Sequence, residues 1–197
     1  MIIYYSEFEK KTHLNISAKE YRKLQHDKSI DLLKLAAYDI HGIVVTEKDI
    51  IRNKYGKPYF NCYPNVFFSI SHTEGMSVCI VSEVNCGIDI EKIESFHPKA
   101  AKRLFSNAEL AYTDCNAEKF CRIWTLKESY SKAVGTGLRS SLKNIEFTVN
   151  DNYNVSCSDK QFSFRQCKLD NYIISVCLES PDKSLIPNIL LKKIQEK

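Results

Sequence analysis

No apolar run in the sequence approaches the roughly 18 residues of a membrane-spanning helix, and a spanning helix is therefore not expected. The opening MIIYYSEFEKK lacks the basic n-region, apolar h-region and small-residue cleavage site of a signal peptide, so the expected compartment is the cytoplasm. There is no low-complexity segment and no close internal repeat, which excludes an array of repeated units. Strong charge of either sign is missing too. With 28 basic and 24 acidic residues the net charge is +4, too small to argue for a nucleic-acid partner, though it suits an anionic ligand or an acidic partner. No two of the eight cysteines have Cys-x-x-Cys spacing, which argues against a zinc or redox site. Several, such as Cys79 and Cys177, sit in apolar strand-like runs, where a reduced thiol behaves as a small hydrophobe.

What is present is an ordinary globular composition: 197 residues, 44% hydrophobic and 26% charged, enough for one large domain or two small ones with a real core. Residues 2–5 predict an opening strand. Ser17-Ala-Lys-Glu20 has the pattern of a capping box ahead of a helical stretch. After Asp27-Lys-Ser29 a second stretch carries apolar residues at 30, 33, 37 and 40 and stops at Gly42. Residues 46–49 predict a short helix and Tyr55-Gly-Lys-Pro-Tyr59 a turn. NVFFSIS and MSVCIVS read as strands joined by a hairpin at His72-Thr-Glu-Gly75, and CGIDIEKI as a third. Helices follow at HPKAAKRLF, after a capping box at Ser106–Glu109, and from about Glu118 to Val134, ended by Gly135-Thr-Gly137. NIEFTV, YNVSC, QFSFRQ and YIISVCL then alternate like strands. This is an α+β pattern with antiparallel pairing, dividing near residues 84–90.

In a strand, side chains alternate between faces, so Asp89 and Glu91 share one face and Ile88 and Ile90 the other. Exposed acids are common, and alone this pair reads equally well as a solubilising surface. A third carboxylate changes the balance. Trp124, Glu128 and Lys132 recur at i, i+4 and i+8 and form one helical stripe. A Glu–Lys pair of that spacing is often only a surface ion pair, but the single tryptophan of the chain on the same stripe marks a face that meets another element. Three carboxylates from a strand and a helix make a hard oxygen site suited to Mg²⁺ together with substrate phosphate. Lys132, His72 and Lys57 could then supply positive charge or donors to phosphate oxygens.

FSISHTEGMSV, GIDIEKI, AAKRLFSNAEL and WTLKESYSKAVGTGL, in this order, resemble the 4′-phosphopantetheinyl transferases, specifically the larger Sfp type, from about Tyr55 to Leu138. The resemblance implies two similar α+β halves, each an antiparallel sheet with packed helices, related by a pseudo-twofold axis. Residues 1–86 would form the coenzyme A nucleotide side and 87–197 the metal-binding and catalytic side. It implies a monomer that moves 4′-phosphopantetheine from coenzyme A to a serine hydroxyl of an apo acyl or peptidyl carrier protein, releasing adenosine 3′,5′-bisphosphate. Asp89, Glu91 and Glu128 match the Mg²⁺ ligands, with Glu128 or Glu91 also a base. Lys132 matches the lysine at the transferring phosphate. Ser71 and His72 match a pair that touches coenzyme A phosphates, and Lys57-Pro58 the turn at the nucleotide end. The family's basic residue ahead of a Leu-Leu pair is missing before Leu32-Leu33, where Lys28 is the nearest cation and Arg22 and Lys23 are alternatives. A face around Lys102, Arg103, Leu104 and Phe105 is the candidate dock for the carrier. No nucleic acid or membrane partner is implied.

Two other readings compete. A Mg²⁺-dependent nuclease of the Asp…(Asp/Glu)-x-Lys kind needs a lysine two residues past an acid, and position 93 is isoleucine, with Lys92 on the other face. A catalytically inactive carrier-binding relative would be expected to have lost an acid or the lysine, and all four are present.

Overall fold

A computed structural model describes residues 1–94, 96–135, 140–182 and 189–194. Two sheets lie back to back, each with a long helix on its outer face. The first has strand order β11-β1-β5-β4, built from β1 (Ile2–Glu7), β4 (Phe67–Thr73), β5 (Met76–Ser82) and β11 (Leu190–Lys193). The second, β6-β10-β9, is formed by β6 (Cys86–Lys92), β9 (Ser163–Leu169) and β10 (Tyr172–Leu178). Two small hairpins complete the strands: β2 (Ile50–Arg52) with β3 (Pro58–Phe60), and β7 (Phe147–Val149) with β8 (Val155–Cys157). The α+β architecture with antiparallel sheets is as expected, except that β11 runs parallel to β1, bringing the C-terminal strand back onto the first sheet.

Period-2 alternation sorts the side chains into layers. On β5, Met76, Val78 and Ile80 join Ile88 and Ile90 of β6 and Ile174 and Val176 of β10 in the core between the sheets. The opposite faces pack on helices. Cys79 and Val81 meet Leu32, Leu33, Ala36 and Ala37 of α1 (Ala18–His41). Ile173 and Cys177 meet Cys121, Ile123 and Leu126 of α4 (Ala117–Val134). The shorter helices α2 (Pro98–Leu104) and α3 (Asn107–Thr113) lead into α4.

α1 is one helix of 24 residues, not two stretches broken at Asp27-Lys-Ser29. A buried stripe at Tyr21, Gln25, Ser29, Leu32, Leu33 and Ala36 runs straight through that segment. Ser29 is accommodated by its hydroxyl donating to Gln25 O at 2.8 Å, with Ser77 Oγ 3.1 Å away. Both expected capping boxes form, at Ser17–Glu20 and Ser106–Glu109, and Gly42 ends α1 in the left-handed region at φ 65°. Ile40, the last of the apolar positions in that stretch, is exposed. The hairpin between β4 and β5 turns on Glu74-Gly75 alone, with Thr73 already paired to Met76. His72 is therefore on strand β4, opposite Ser77, rather than at the hairpin tip. Gly135 caps α4 at φ 73°, while Thr136 and Gly137 of the expected helix end lie outside the described residues. All eight cysteines are free thiols; Cys79, Cys86, Cys121, Cys157 and Cys177 are buried, whereas Cys62 and Cys115 are exposed.

Gly87 makes the α4–β6 contact possible. A Cβ at this position would lie 1.9 Å from Ser129 O and 2.6 Å from Ala133 N, inside the helix backbone. Any side chain there must push α4 off the strand. Gly87→Ala is expected to destabilise the fold by about 1–3 kcal/mol or more, measured as a lowered denaturation midpoint in urea with an unchanged slope.

Candidate active site

β4 and β6 lie side by side at the edges of the two sheets without ladder pairing, and serine hydroxyls of β4 bridge them. Ser69 Oγ accepts from Ile88 N at 3.0 Å, and Ser71 Oγ donates to Asp89 Oδ1 at 2.8 Å. Beside this seam opens a cavity of about 610 Å³ lined by β4, β6, the turn before β3 and the C-terminal half of α4. Its volume is that of a small-molecule site.

Asp89 is buried, and Lys132 reaches it from α4. Lys132 Nζ donates to Asp89 Oδ1 at 2.7 Å, to Ser71 Oγ at 2.8 Å and to Ile88 O at 3.0 Å. The other oxygen, Asp89 Oδ2, is buried with no hydrogen-bond partner. Such an atom is costly to leave unpaired. Glu128 lies one helical turn before Lys132 on the cavity wall. Burial and the Asp89 carboxylate push its pKa up to about 7, against the opposing pull of Lys132. Glu91, two residues along the same face of β6, is likewise pushed up to about 7 by burial and by Asp89, with Trp124 and Lys132 pulling the other way. Trp124 Nε1 donates to Glu91 Oε1 at 3.1 Å, and the indole stacks on Phe120 at 5.6 Å. The stripe Trp124–Glu128–Lys132 thus runs along the acidic face of β6.

Among the described residues no group of three or more His, Cys, Asp or Glu side chains is already arranged to hold a metal ion. The donor chemistry nonetheless fits a hard cation. An orphaned carboxylate oxygen and two carboxyls held towards neutrality by burial and by Asp89 are what a bound divalent ion would relieve.

The other expected site residues divide. Pro58, Ser71 and His72 line the cavity. Burial and the nearby Lys132 hold the His72 imidazole below its ordinary pKa. Lys57 also lines the cavity, but the partners of its ammonium are protein oxygens: Ala133 O at 2.7 Å, Cys86 O at 3.4 Å and Asn85 Oδ1. Lys28, Arg22 and Lys23 are not among the lining residues, whereas His26, Arg52 and Tyr55 are. Arg52 could have been read from its closeness to the Gly-Lys-Pro turn. His26 carries no signal in the sequence, because only the continuous α1 sets it opposite β4. Glu91 is not among the residues lining this cavity; it borders a separate hollow of about 290 Å³ with Thr73, His97, Phe120 and Trp124. Leu104 and Phe105 are core residues, 1% and 0% exposed, so the apolar part of the expected docking face is not available on the surface. Lys92 gives its ammonium to Glu74 and Glu94.

Behind α4, Lys127 is fully buried and faces away from the cavity. It pairs with buried Glu109 at 2.8 Å and donates to Leu142 O at 2.9 Å and to Ile145 O. Glu109 in turn accepts from Ser106 N at 2.7 Å and Phe147 N at 2.8 Å. Adjacent residues 127 and 128 therefore serve opposite sides of the helix, one anchoring it and one facing the site.

A family model described as the 4′-phosphopantetheinyl transferase superfamily matches residues 85–177. A 4′-phosphopantetheinyl transferase of Bacillus subtilis is 30% identical over 77% of this chain and 72% of its own length. The 4′-phosphopantetheinyl transferase Sfp of Bacillus subtilis strain 168 is 31% identical over 66% and 62%. The human L-aminoadipate-semialdehyde dehydrogenase-phosphopantetheinyl transferase is 32% identical over 68% and 54%, so the chain spans little more than half of some relatives. A solved holo-(acyl-carrier-protein) synthase from Bacillus anthracis, in complex with CoA (3′,5′-ADP), aligns with 49% of this chain and 96% of its own at a TM-score of 0.41 and 26% identity. The chain belongs to the 4′-phosphopantetheinyl transferase superfamily, a family of holo-carrier-protein synthases. Among the described residues no helix is long and apolar enough to cross a membrane.

Lys127→Met would leave Glu109 charged and unpaired in the core, and a loss of about 3–5 kcal/mol is expected. Adding Glu109→Gln should recover part of that loss, as read by chemical denaturation of both variants.

Proposed function

We propose that this chain transfers the 4′-phosphopantetheine group of coenzyme A to a serine hydroxyl of an apo acyl or peptidyl carrier protein, releasing adenosine 3′,5′-bisphosphate. The observation that carries the reading is the cavity at the β4–β6 seam, where Asp89 and Glu128 stand with Lys132, Ser71 and His72. Family membership supports the reaction class. The halves 1–86 and 87–197 would form the nucleotide side and the catalytic side of one monomeric, cytoplasmic enzyme related by a pseudo-twofold axis.

Asp89, Glu91 and Glu128 would hold Mg²⁺. Bound there, the ion would act as a Lewis acid on the pyrophosphate oxygens. The protein's own part is positioning and charge. The serine Oγ attacks the phosphorus attached to the pantetheine arm, the bond to the nucleotide's bridging oxygen breaks, and the hydroxyl proton passes to Glu128 or Glu91. Lys132, already oriented by Ser71 and Ile88 O, would neutralise charge on the transferring phosphate and the leaving oxygen. His72 and Ser71 would touch coenzyme A phosphates, and the turn at Lys57-Pro58 would border the nucleotide. Arg52 and His26, which line the cavity, are the basic side chains that remain for the 3′-phosphate, in place of Lys28.

The test is a magnesium-dependent transfer assay with fluorescent coenzyme A and several apo carriers. Asp89→Ala and Glu128→Gln should each lower turnover by about 10²-fold or more while leaving the protein folded, as read by circular dichroism, and Lys132→Ala should lower it by about 10²-fold. A folded wild-type protein that labels no carrier would overturn the function. Near-full activity in Asp89→Ala would overturn the site.

A further inference from the structure

The position of the Lys57 ammonium raises a question that its place in the cavity wall does not answer. The turn from Arg52 to Pro58 is braced internally. Asn53 Oδ1 accepts from Tyr55 N at 2.9 Å and Lys57 N at 3.0 Å, Asn53 N donates to Lys57 O at 2.9 Å, and Arg52 Nη1 donates to Gly56 O at 2.8 Å. Arg52, Tyr55, Gly56, Lys57 and Pro58 all line the cavity. The turn is thus a stiff wall segment carried by the small β2–β3 hairpin, which is not paired to either main sheet. Something must fix its distance from α4, on the other side of the cavity.

Lys57 makes that connection. Its side chain crosses the Gly135 cap, where a Cβ would come within 2.7 Å of Lys57 Cδ. Its ammonium ends on Ala133 O at the C-terminus of α4, where helix carbonyls lack intrahelical partners and a cation is favoured. Asn85, at the start of β6, completes the joint. Its Oδ1 accepts from Lys57, and its Nδ2 donates to Ala133 O at 2.8 Å and to Glu179 Oε2 at 2.9 Å. One joint therefore ties the cavity-wall turn, the end of the helix bearing Glu128 and Lys132, and the head of the strand bearing Asp89.

We propose that Lys57 is a positioning residue, a latch that sets the spacing between the cavity-wall turn and α4 through Ala133 and Asn85, and that its ammonium is not a phosphate ligand. This rests on the coenzyme A reading of the cavity. The loss of the latch lets the wall move relative to Lys132 and weakens nucleotide binding without removing a phosphate ligand.

Asn85 separates the latch from direct contact, because it does not line the cavity. Coenzyme A affinity by calorimetry, and KM and kcat by the transfer assay, are compared for Lys57→Met, Asn85→Ala and the double variant. Each single variant should weaken coenzyme A binding about tenfold, as expected for one lost charge-assisted bond, with kcat changed little. The double variant should be no weaker than the worse single. Lys57→Arg should recover part of the loss, and Asn85→Ala keeps the test open should Lys57→Met fail to fold. Normal affinity in Asn85→Ala, additive losses, or a Lys57→Met loss that vanishes with coenzyme A lacking its 3′-phosphate would overturn the latch. Amide exchange reads the joint with no ligand: Lys57→Met and Asn85→Ala should speed exchange at Gly56 and at Gly135 together, and unchanged exchange would overturn the proposal. If wild type fails to bind coenzyme A while exchange responds as stated, the latch stands and the coenzyme A reading falls.

Discussion

The close approach of α4 to β6 at Gly87 is the contact from which the site is built. With no side chain at 87, the backbone at Ser129 and Ala133 rests against the strand. That separation puts Lys132 within 2.7 Å of Asp89 and leaves Glu128 facing the cavity. The helix is fixed from behind by the buried Lys127–Glu109 pair and at its end by Lys57 and Asn85. Ion pairs this deep are weak contributors to net stability, but they are intolerant of rearrangement, since displacing either partner strands a charge. They hold a register as much as they hold a fold.

Electrostatics in the cavity follow from that geometry. Asp89 and Glu128 in the cavity and Glu91 beside it share a partly desolvated region with one ammonium, and Lys132 satisfies only one oxygen of Asp89. Glu91 and Glu128 respond by holding their protons to about pH 7. An arrangement like this stabilises nothing by itself. It is poised for positive charge, which would satisfy the orphaned Asp89 oxygen and lower the cost of ionising both glutamates.

Much of the fold was legible because its signals are local. Capping residues at Ser17 and Ser106 and the left-handed glycine at 42 act within one turn of helix, so their effect does not depend on the rest of the chain. Alternation on CGIDIEKI correctly divided the isoleucines from the acids, because a strand has no other way to place them. The misreadings came where a tertiary partner outweighed local composition. The polar run Asp27–Ser29 looked like a break, yet the sheet beneath supplies Ser77 to a buried Ser29 and the helix continues. Leu104 and Phe105 looked like surface beside two cations, yet α2 turns them into the core.

The sequence by itself determined which face of its strand or helix each of Asp89, Glu91, Glu128 and Lys132 would occupy, since that follows from backbone periodicity. Tertiary structure decided what those side chains meet. Only the packing of β4 beside β6 sets Ser71 on Asp89, only the unbroken α1 sets His26 at the cavity, and only the fold of the β2–β3 turn onto the end of α4 turns the Lys57 ammonium to the helix carbonyl. These are contacts between residues tens of positions apart. Their distances are set by how closely backbones can approach, and no pattern along the chain records that.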